Sequence, residues 1–376
     1  MCRRPTVSVV IPFYMRHAQL RATLDALGSQ TLEPAAFEVV LSSFGEDDQV
    51  DAITSRCKVD VRVVRHQAAE WNVAKARNVG MAAATGEILL LLDCDIALHK
   101  EALSRHVEGH RANPRSILVG AVRGYLPYAN HSYEEEFFAA PDGAADAIVR
   151  RATTVGNTDV RWTLDLDAAP LAWALCWSGH LSVERTVAAE AGGFNEAFRN
   201  WGAEDLEFAF RLVRRGSLVR FDAGAWGVHL SHPRSLHANI ESEQGNLRRF
   251  VNEHPCLEVE VLSWLNDLDA NRSYCGLRQA CVAAAPQGQN DWGVALSHDR
   301  QTLCIGLRAG DWMERRSAAF RAPLLGLALP FESGSVGRAH LAPWLQALPA
   351  RARARIEEEA VRVTVEGYEY GGGNAD

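Results

Sequence analysis

The sequence has no long apolar run, no closely spaced cysteine pair and no basic stripe, and each absence excludes a class of protein. The apolar run at residues 88–92 stops at Asp93, and no segment reaches the about 18 residues of a membrane-spanning helix. The eight cysteines include no CxxC pair, which predicts reduced thiols instead of a disulfide framework. Because 39 basic and 47 acidic side chains are spread along the chain, nucleic acid is not an expected partner.

The first residues also do not fit the pattern of a secretion signal. The apolar segment at residues 7–13 is too short for the central region of a signal peptide. We therefore expect a cytoplasmic protein without a transmembrane segment, either free or peripheral to the inner face of the membrane. Monomer and homodimer both stay open.

Strand-like and helix-like segments alternate through the first hundred residues. The apolar, β-branched runs fit buried parallel strands, and apolar residues recur at helical spacing between them. This pattern predicts an α/β protein with a doubly wound, mostly parallel sheet, in which ligands bind at the carboxyl ends of the strands. The predicted strands are residues 6–11, 37–41, 59–64 and 87–92, and the predicted helices are residues 16–29, 52–57 and 72–85.

The remaining patterns are weaker and change in character near residue 256. From there on, short alternating runs and one helix predict a small α+β appendage, so we divide the chain into residues 1–255 and 256–376. Before that point we predict strands at 125–133, 172–183, 219–221 and 225–229, and helices at 134–138, 184–191 and 204–215. After it we predict a hairpin of strands 292–296 and 302–307, and a helix at 343–359.

Asp93 and Asp95 follow the fourth predicted strand. Two carboxylates separated by one residue point to the same side and can share a hard divalent cation that also binds phosphate oxygens. A solvated loop explains an isolated pair of this kind equally well. The neighbouring segments are needed to choose between the two interpretations.

Three segments together resemble family 2 glycosyltransferases. They are VSVVIPFYMR at residues 7–16, VAKARNVG at 73–80 and ATGEILLLLDCD at 84–95. The resemblance implies a GT-A type catalytic domain in residues 1–255 and Mn²⁺ or Mg²⁺ bridging the diphosphate of a nucleotide sugar, of which a UDP-sugar is most expected. It also implies a donor site that includes Pro12, Tyr14, Arg16, Ser43, Arg77 and Asp93.

Two later segments, GGFNE at residues 192–196 and WGAED at 201–205, resemble the carboxyl half of galactosyltransferase-type enzymes. The resemblance implies that Asp205 takes the proton of the acceptor and that Glu204 orients the acceptor. Trp201 offers an apolar face to a sugar ring and belongs to the expected donor site. The bland alternative is that Glu204 and Asp205 only cap a helix, where backbone N–H groups favour negative charge.

The segment GAWGVHLSHP at residues 224–233 resembles the place where the family supplies a histidine to the metal. His229 matches that position better, and His232 is the second choice. Imidazole is an acceptable ligand for Mn²⁺. The expected metal ligands are therefore Asp95 and His229, with Asp93 at the ribose or at a metal-bound water.

The stretch after the second strand departs from the family pattern. Where the family has an aspartate that reads the nucleobase or ribose, this chain has Ser42, Ser43 and Phe44. Either Ser43 makes a weaker hydrogen bond, or Asp47 or Asp48 reaches the base, or the donor is not a uridine nucleotide.

These features predict a metal-dependent, inverting glycosyltransferase that moves a sugar from a nucleoside diphosphate to a hydroxyl group. The acceptor, whether a glycan, a lipid, a peptide or a small natural product, stays open. One alternative is a nucleotidyltransferase, but residues 12–16 lack the glycine-rich basic loop that would hold a triphosphate. The other is a non-catalytic sugar-nucleotide-binding module.

Overall fold

The computed structural model describes residues 5–67, 70–124, 149, 159–230, 232, 235–285, 292–308 and 318–371. The chain divides into two compact units, residues 1–243 and 244–376, so the division falls earlier in the chain than the predicted boundary after residue 255. The strand predicted at 125–133 and the helix predicted at 134–138 lie outside the described residues. All seven described cysteines are free thiols.

The first unit contains a sheet of eight strands in the order β3-β2-β1-β4-β7-β6-β8-β5. Strands β3, β2, β1 and β4 are parallel neighbours, β6 and β8 are also parallel, and the other three pairings are antiparallel. The predicted α/β class with a mostly parallel sheet is confirmed. The strands are β1 Val7–Phe13, β2 Phe37–Phe44, β3 Val61–His66, β4 Ile88–Leu92, β5 Ile96–Leu98, β6 Ile117–Arg123, β7 His180–Glu184 and β8 Val219–His229.

Helices cover both faces of this sheet. Within the described residues the helices are α1 His17–Leu27, α2 Asp48–Thr54, α3 Val73–Ala83, α4 Ala102–Ala112, α5 Arg185–Glu190, α6 Glu204–Arg214 and α7 Leu236–Glu253, of which α7 includes the division between the units. Leu20 and Leu24 of α1 pack in one core with Val9 and Ile11. On the opposite face α3 comes so close that a β-carbon at Gly80 would lie 2.5 Å from Val10 Cγ1.

Three predicted strands of the first unit are wrong in detail. Residues 172–183 do not form one strand, because Ala172–Leu175 is a 3-10 turn and only His180–Glu184 joins the sheet. The strands predicted at 219–221 and 225–229 are one strand, β8, whose pairing with β6 shifts register between Gly120 and Ala121. The irregularity adds residues 223–225 to β8 between the partners of Gly120 and Ala121 without breaking the strand.

The second unit contains a sheet in the order β11-β9-β10-β12-β13 and, among its described residues, three further α-helices. Strands β9 and β10 form the predicted antiparallel hairpin. The helix predicted at 343–359 is split, because Leu348 precedes Pro349 and is therefore held extended. The elements are α8 Leu257–Trp264, α9 Asp267–Ala284, β9 Trp292–Leu296, β10 Thr302–Arg308, β11 Phe320–Ala322, β12 Arg338–Leu341, α10 Ala350–Val363 and β13 Tyr368–Tyr370. Among the described helices none is long and apolar enough to cross a membrane.

Candidate active site

Asp95 lies just after β4 and is surrounded by positive or protonatable groups. Its Oδ2 atom is 3.1 Å from His232 Nε2 and 3.9 Å from His229 Nε2, and it also accepts a hydrogen bond from Arg16. Asp95 is 1% exposed, and its Oδ1 atom has no hydrogen-bond partner within the described part of the chain. A buried carboxylate oxygen in this state is suited to a cation.

Backbone pairing brings these distant residues together. Strand β5 runs antiparallel to the end of β8, with Ile96 opposite His229. The N–H of Leu230 donates to the carbonyl of Asp95 at 2.7 Å. Potential ligand atoms of Asp95, His229 and His232 consequently lie within 4.8 Å of one another, so both predicted histidines join the cluster.

The charges around Asp95 keep it ionised. Burial by itself would raise the pKa of Asp95, but His229, His232 and Arg16 hold it below the ordinary value. One carboxylate and two imidazoles form a donor set that suits Mn²⁺ and related divalent cations. The cluster therefore fits the metal that the sequence implies.

Asp93 is turned away from this cluster toward Arg77. Its Oδ1 atom accepts from Arg77 Nη2 at 3.0 Å, while Arg77 Nη1 donates to Glu204 at 2.8 Å. The Arg77 side chain is 3% exposed, and its guanidinium also lies over the ring of Phe194 at 5.3 Å. Arg77 thus joins the end of β4 to the start of α6 and does not project as a free cation.

Glu204 and Asp205 begin α6 but have different surroundings. Glu204 is 7% exposed, and burial, with Asp205 beside it, raises its pKa to about 7 although Arg77 opposes the shift. Asp205 is less buried and accepts at one oxygen from the Ser178 N–H at 3.0 Å and from Ser178 Oγ at 3.4 Å. Asp205 is therefore oriented by Ser178 rather than by a neighbouring cation.

Ser178 is a residue that sequence reasoning missed. The next residue, Gly179, accepts from the Asp93 N–H at 3.0 Å, and a β-carbon on Gly179 would lie 3.1 Å from Asp93 Oδ2. One dipeptide before β7 therefore contacts both Asp93 and Asp205. No pattern in the sequence marks it, because the contacts cross 27 residues to Asp205 and more to Asp93.

Trp201 lies in the turn before α6. It is half-buried, and its N–H donates to Ser242 Oγ at 3.0 Å. Gly202 and Ala203 both have positive φ, at 100° and 67°, and this tight turn directs the chain into α6. Trp201 therefore lies on a conformationally constrained turn that leads directly into the helix of Asp205.

The remaining donor-site candidates lie at the ends of β1 and β2. Pro12 and Ser43 are buried inside the strands, and Ser43 Oγ has no partner among the described residues. Tyr14 is 41% exposed. Asp47 is bonded to His17 at 2.7 Å and caps α2 through the Gln49 N–H, and Asp48 is the first residue of that helix.

Two family models match consecutive parts of the chain. Residues 8–162 match glycosyl transferase family 2, and residues 162–232 match the N-terminal domain of galactosyltransferase. The chain belongs to glycosyltransferase family 2. The two matches meet within the first unit and include Asp95, Asp205, His229 and His232.

Named relatives are similar over part of their length. Validoxylamine A glucosyltransferase of Streptomyces hygroscopicus subsp. limoneus is 32% identical over 68% of this chain and 58% of its own length. The protein of that name from subsp. jinggangensis (strain 5008) is 31% identical over 68% and 63%. Chondroitin synthase of Pasteurella multocida (strain Pm70) is 25% identical over 60% of this chain and 25% of its own. The match thus spans less than two thirds of each relative.

Among solved structures, a mannosyltransferase from Pyrobaculum calidifontis aligns with a TM-score of 0.48 and 19% identity. The alignment covers 76% of this chain and 77% of the mannosyltransferase.

Proposed function

We propose that this protein is a metal-dependent, inverting glycosyltransferase that moves a sugar from a nucleoside diphosphate to a hydroxyl group. The observation that carries the proposal is the cluster of Asp95, His229 and His232 with an unpartnered Asp95 oxygen. Two residues before Asp95, Asp93 is linked through Arg77 to Glu204, the residue before Asp205. Family membership supports the reaction class. The relatives named glucosyltransferases favour a hexosyl group on the donor.

Asp95, His229 and His232 would hold Mn²⁺ or Mg²⁺. A bound divalent cation neutralises the charge that develops on a departing diphosphate. Arg16, which contacts Asp95 and keeps 40% of its side chain exposed, is suited to contact a donor phosphate. Asp93 stays beside Arg77, where its partly exposed carboxylate is available to a ribose hydroxyl.

Asp205 would act as the general base. It is the more exposed of the two carboxylates at the start of α6, and Ser178 fixes one of its oxygens. The other oxygen accepts from the Leu206 N–H at 2.9 Å and keeps a second lone pair. That lone pair can take the proton of an acceptor hydroxyl as the hydroxyl attacks the sugar from the face opposite the diphosphate, which inverts the anomeric centre. Glu204 is buried against Arg77, so its expected contribution is to orient that region and the acceptor.

We assign the catalytic role to residues 1–255 and an accessory role to the rest. A UDP-sugar is the first donor to test. Small hydroxyl-bearing molecules are the first acceptors to test, because the two most identical named relatives above act on validoxylamine A by their names.

A donor panel with Mn²⁺ tests the proposal. We expect slow release of nucleoside diphosphate from one or more nucleotide sugars, faster release with an acceptor, and a product whose anomeric configuration by NMR is inverted. Release of pyrophosphate would indicate a nucleotidyltransferase instead, and retained configuration would exclude Asp205 as the inverting base.

Matched variants separate metal binding from catalysis. Asp95→Ala should abolish metal-dependent donor binding, whereas Asp205→Asn should bind donor normally and lose turnover by about 10²–10⁴-fold. Asp60→Asn is the control, since Asp60 is exposed and precedes β3 at the opposite edge of the sheet. Normal turnover in Asp205→Asn would contradict the base assignment.

A further inference from the structure

An aromatic wall, defined as Tyr14, Phe44, His66 and Trp71, stands at the carboxyl ends of β1, β2 and β3. The Tyr14 and Trp71 rings are stacked, with centroids 5.3 Å apart and planes at 16°. Phe44 lies edge-on to both, at 5.3 Å and 5.8 Å. Since Tyr14 is 41% exposed at the ligand-binding edge of the sheet, the wall offers a ring face on which a planar base can stack.

His66 is the polar member of the wall and has unmet hydrogen-bonding capacity. It packs against Phe44 at 5.7 Å and Trp71 at 6.4 Å and is 9% exposed. Neither ring nitrogen has a partner in the part of the chain that the structure describes. Burial first, and Lys75 second, lower the pKa of His66 against the effect of Glu196, so the ring is neutral and carries one donor and one acceptor.

Ser43 and Asp47, two of the candidates for reading the base, are not placed to read a base on the wall. Leu41 packs in the core against α1, so alternation along β2 puts Ser43 on that same face and Phe44 on the other. His66 is paired with Phe44 in the sheet and shares its face. The Asp47 carboxylate is engaged by His17 and by the Gln49 N–H at the start of α2.

We propose that the base of the nucleotide donor stacks on the aromatic wall and that His66 determines which base is accepted. This inference rests on the proposed function. In it, the neutral His66 ring takes the place of the base-reading aspartate that this chain lacks. A carboxylate can only accept from a base N–H, whereas a neutral imidazole can accept at one nitrogen and donate at the other. The edge of a base that approaches His66 can give a partner to one of the two buried ring nitrogens, because their hydrogen-bonding directions diverge across the ring.

The test is the binding of UDP, GDP, ADP and CDP by calorimetry with saturating Mn²⁺. In the wild-type protein the best and worst Kd should differ by about tenfold or more, as expected for a gained or lost buried hydrogen bond. His66→Phe keeps an aromatic ring in the wall without the nitrogens, and the spread should shrink to about threefold or less. Trp71→Leu should weaken all four ligands by about tenfold with their order unchanged, since stacking is tolerant of base identity.

Inorganic pyrophosphate with Mn²⁺ is the control ligand, because it has no base and should bind His66→Phe as it binds the wild type. An undiminished spread in His66→Phe, a spread that vanishes in Ser43→Ala instead, or no spread in the wild-type protein would each overturn the inference. If the wild type binds no nucleoside diphosphate with Mn²⁺ or Mg²⁺, the proposed function itself fails. Binding of all four nucleoside diphosphates without base selectivity overturns the inference about His66 but leaves the proposed function standing.

Discussion

In the first unit the carboxylate of Glu204 is buried against the guanidinium of Arg77, whereas in the second unit Glu260 is buried against backbone N–H groups. Glu260 is 0% exposed, and its oxygens accept from Leu325, Gly326 and Leu327 at 2.6, 2.8 and 3.0 Å. Backbone donors are fixed by the fold and carry no net charge. A guanidinium can exchange one carboxylate for another partner when a ligand arrives.

The two buried glutamates differ in what they hold in place: Glu204 belongs to the candidate active site, whereas Glu260 holds a loop of the second unit. Arg77 contacts two carboxylates that belong to two different sequence motifs, so the position of each depends on the other. The donors around Glu260 instead belong to one loop, residues 325–328, which the carboxylate ties to α8. We therefore expect a substitution of Arg77 to change both stability and turnover, and a substitution of Glu260 to change stability alone.

The largest effect is expected for Arg77→Met. The substitution leaves the buried carboxylate of Glu204 and the partly exposed carboxylate of Asp93 without their cation. This loss costs about 3–5 kcal/mol in the free energy of unfolding and should reduce turnover to background. Arg77→Lys should restore little, because one ammonium cannot span both carboxylates as the planar fork does. Urea denaturation and donor turnover measure the two effects.

Arg115→Met is the matched control for Arg77→Met. Arg115 pairs with Glu190 at 2.7 Å, but both side chains are about half exposed, at 53% and 51%. Exposed pairs contribute about 0–1 kcal/mol, so stability and turnover should hardly change. Equal losses in the two variants would contradict the special role of the buried pair.

A hydrogen-bonded chain of buried histidines in the first unit is expected to make the stability of the protein depend on pH. The N–H of His180 Nδ1 donates to the Ala121 carbonyl, so its Nε2 accepts from His106 at 2.9 Å. His106 Nδ1 then accepts from the Ser182 hydroxyl at 2.7 Å, and Ser182 accepts from His110 Nε2 at 2.8 Å. With these donors and acceptors, each of the three imidazole rings carries one proton and is neutral.

Burial lowers the pKa of both His110 and His180 to about 4. Because the unfolded histidines titrate near 6.5, the unfolded state binds more protons below that pH, and stability falls as the pH drops from about 6.5 to about 4. In His110→Gln the slope of unfolding free energy against pH should decrease by about 1.4 kcal/mol per unit across this window. His298→Gln, at an exposed turn, should leave the slope unchanged; an unchanged slope in His110→Gln would count against the neutral chain.

The parts of the site that the sequence revealed are those fixed by local pattern. Apolar runs predicted β1 to β4, and the end of the fourth run predicted the place of Asp93 and Asp95. This was possible because a buried parallel strand and its carboxyl end are both formed by residues that are consecutive in the sequence. The resemblance then added His229 and His232, which join Asp95. The roles of Asp205 and Glu204 stay predictions that the variants above test.

What the sequence could not give are contacts between distant residues. Arg77 and Glu204 are 127 positions apart, and neither residue indicates that the other will neutralise it. The same holds for Ser178 and Asp205. It also holds for Tyr14, which is far from Trp71 and His66 in the sequence but stacks on the Trp71 ring. Such pairs depend on the order of strands in the sheet, in which β7 lies beside β4 although a long stretch of chain separates them.

The smallest effect is expected for Glu260→Gln in the second unit. The amide keeps the size of the side chain but offers one oxygen where the loop presents N–H groups to two, so one or more buried donors lose their acceptor. The cost should be about 1–3 kcal/mol, and faster hydrogen exchange should be concentrated at residues 325–328. Turnover per folded molecule should stay normal, because Glu260 is not among the residues that we assign to the candidate active site. A folded Glu260→Gln protein with lost turnover would erase the contrast with Glu204 and assign residues 244–376 a part in catalysis.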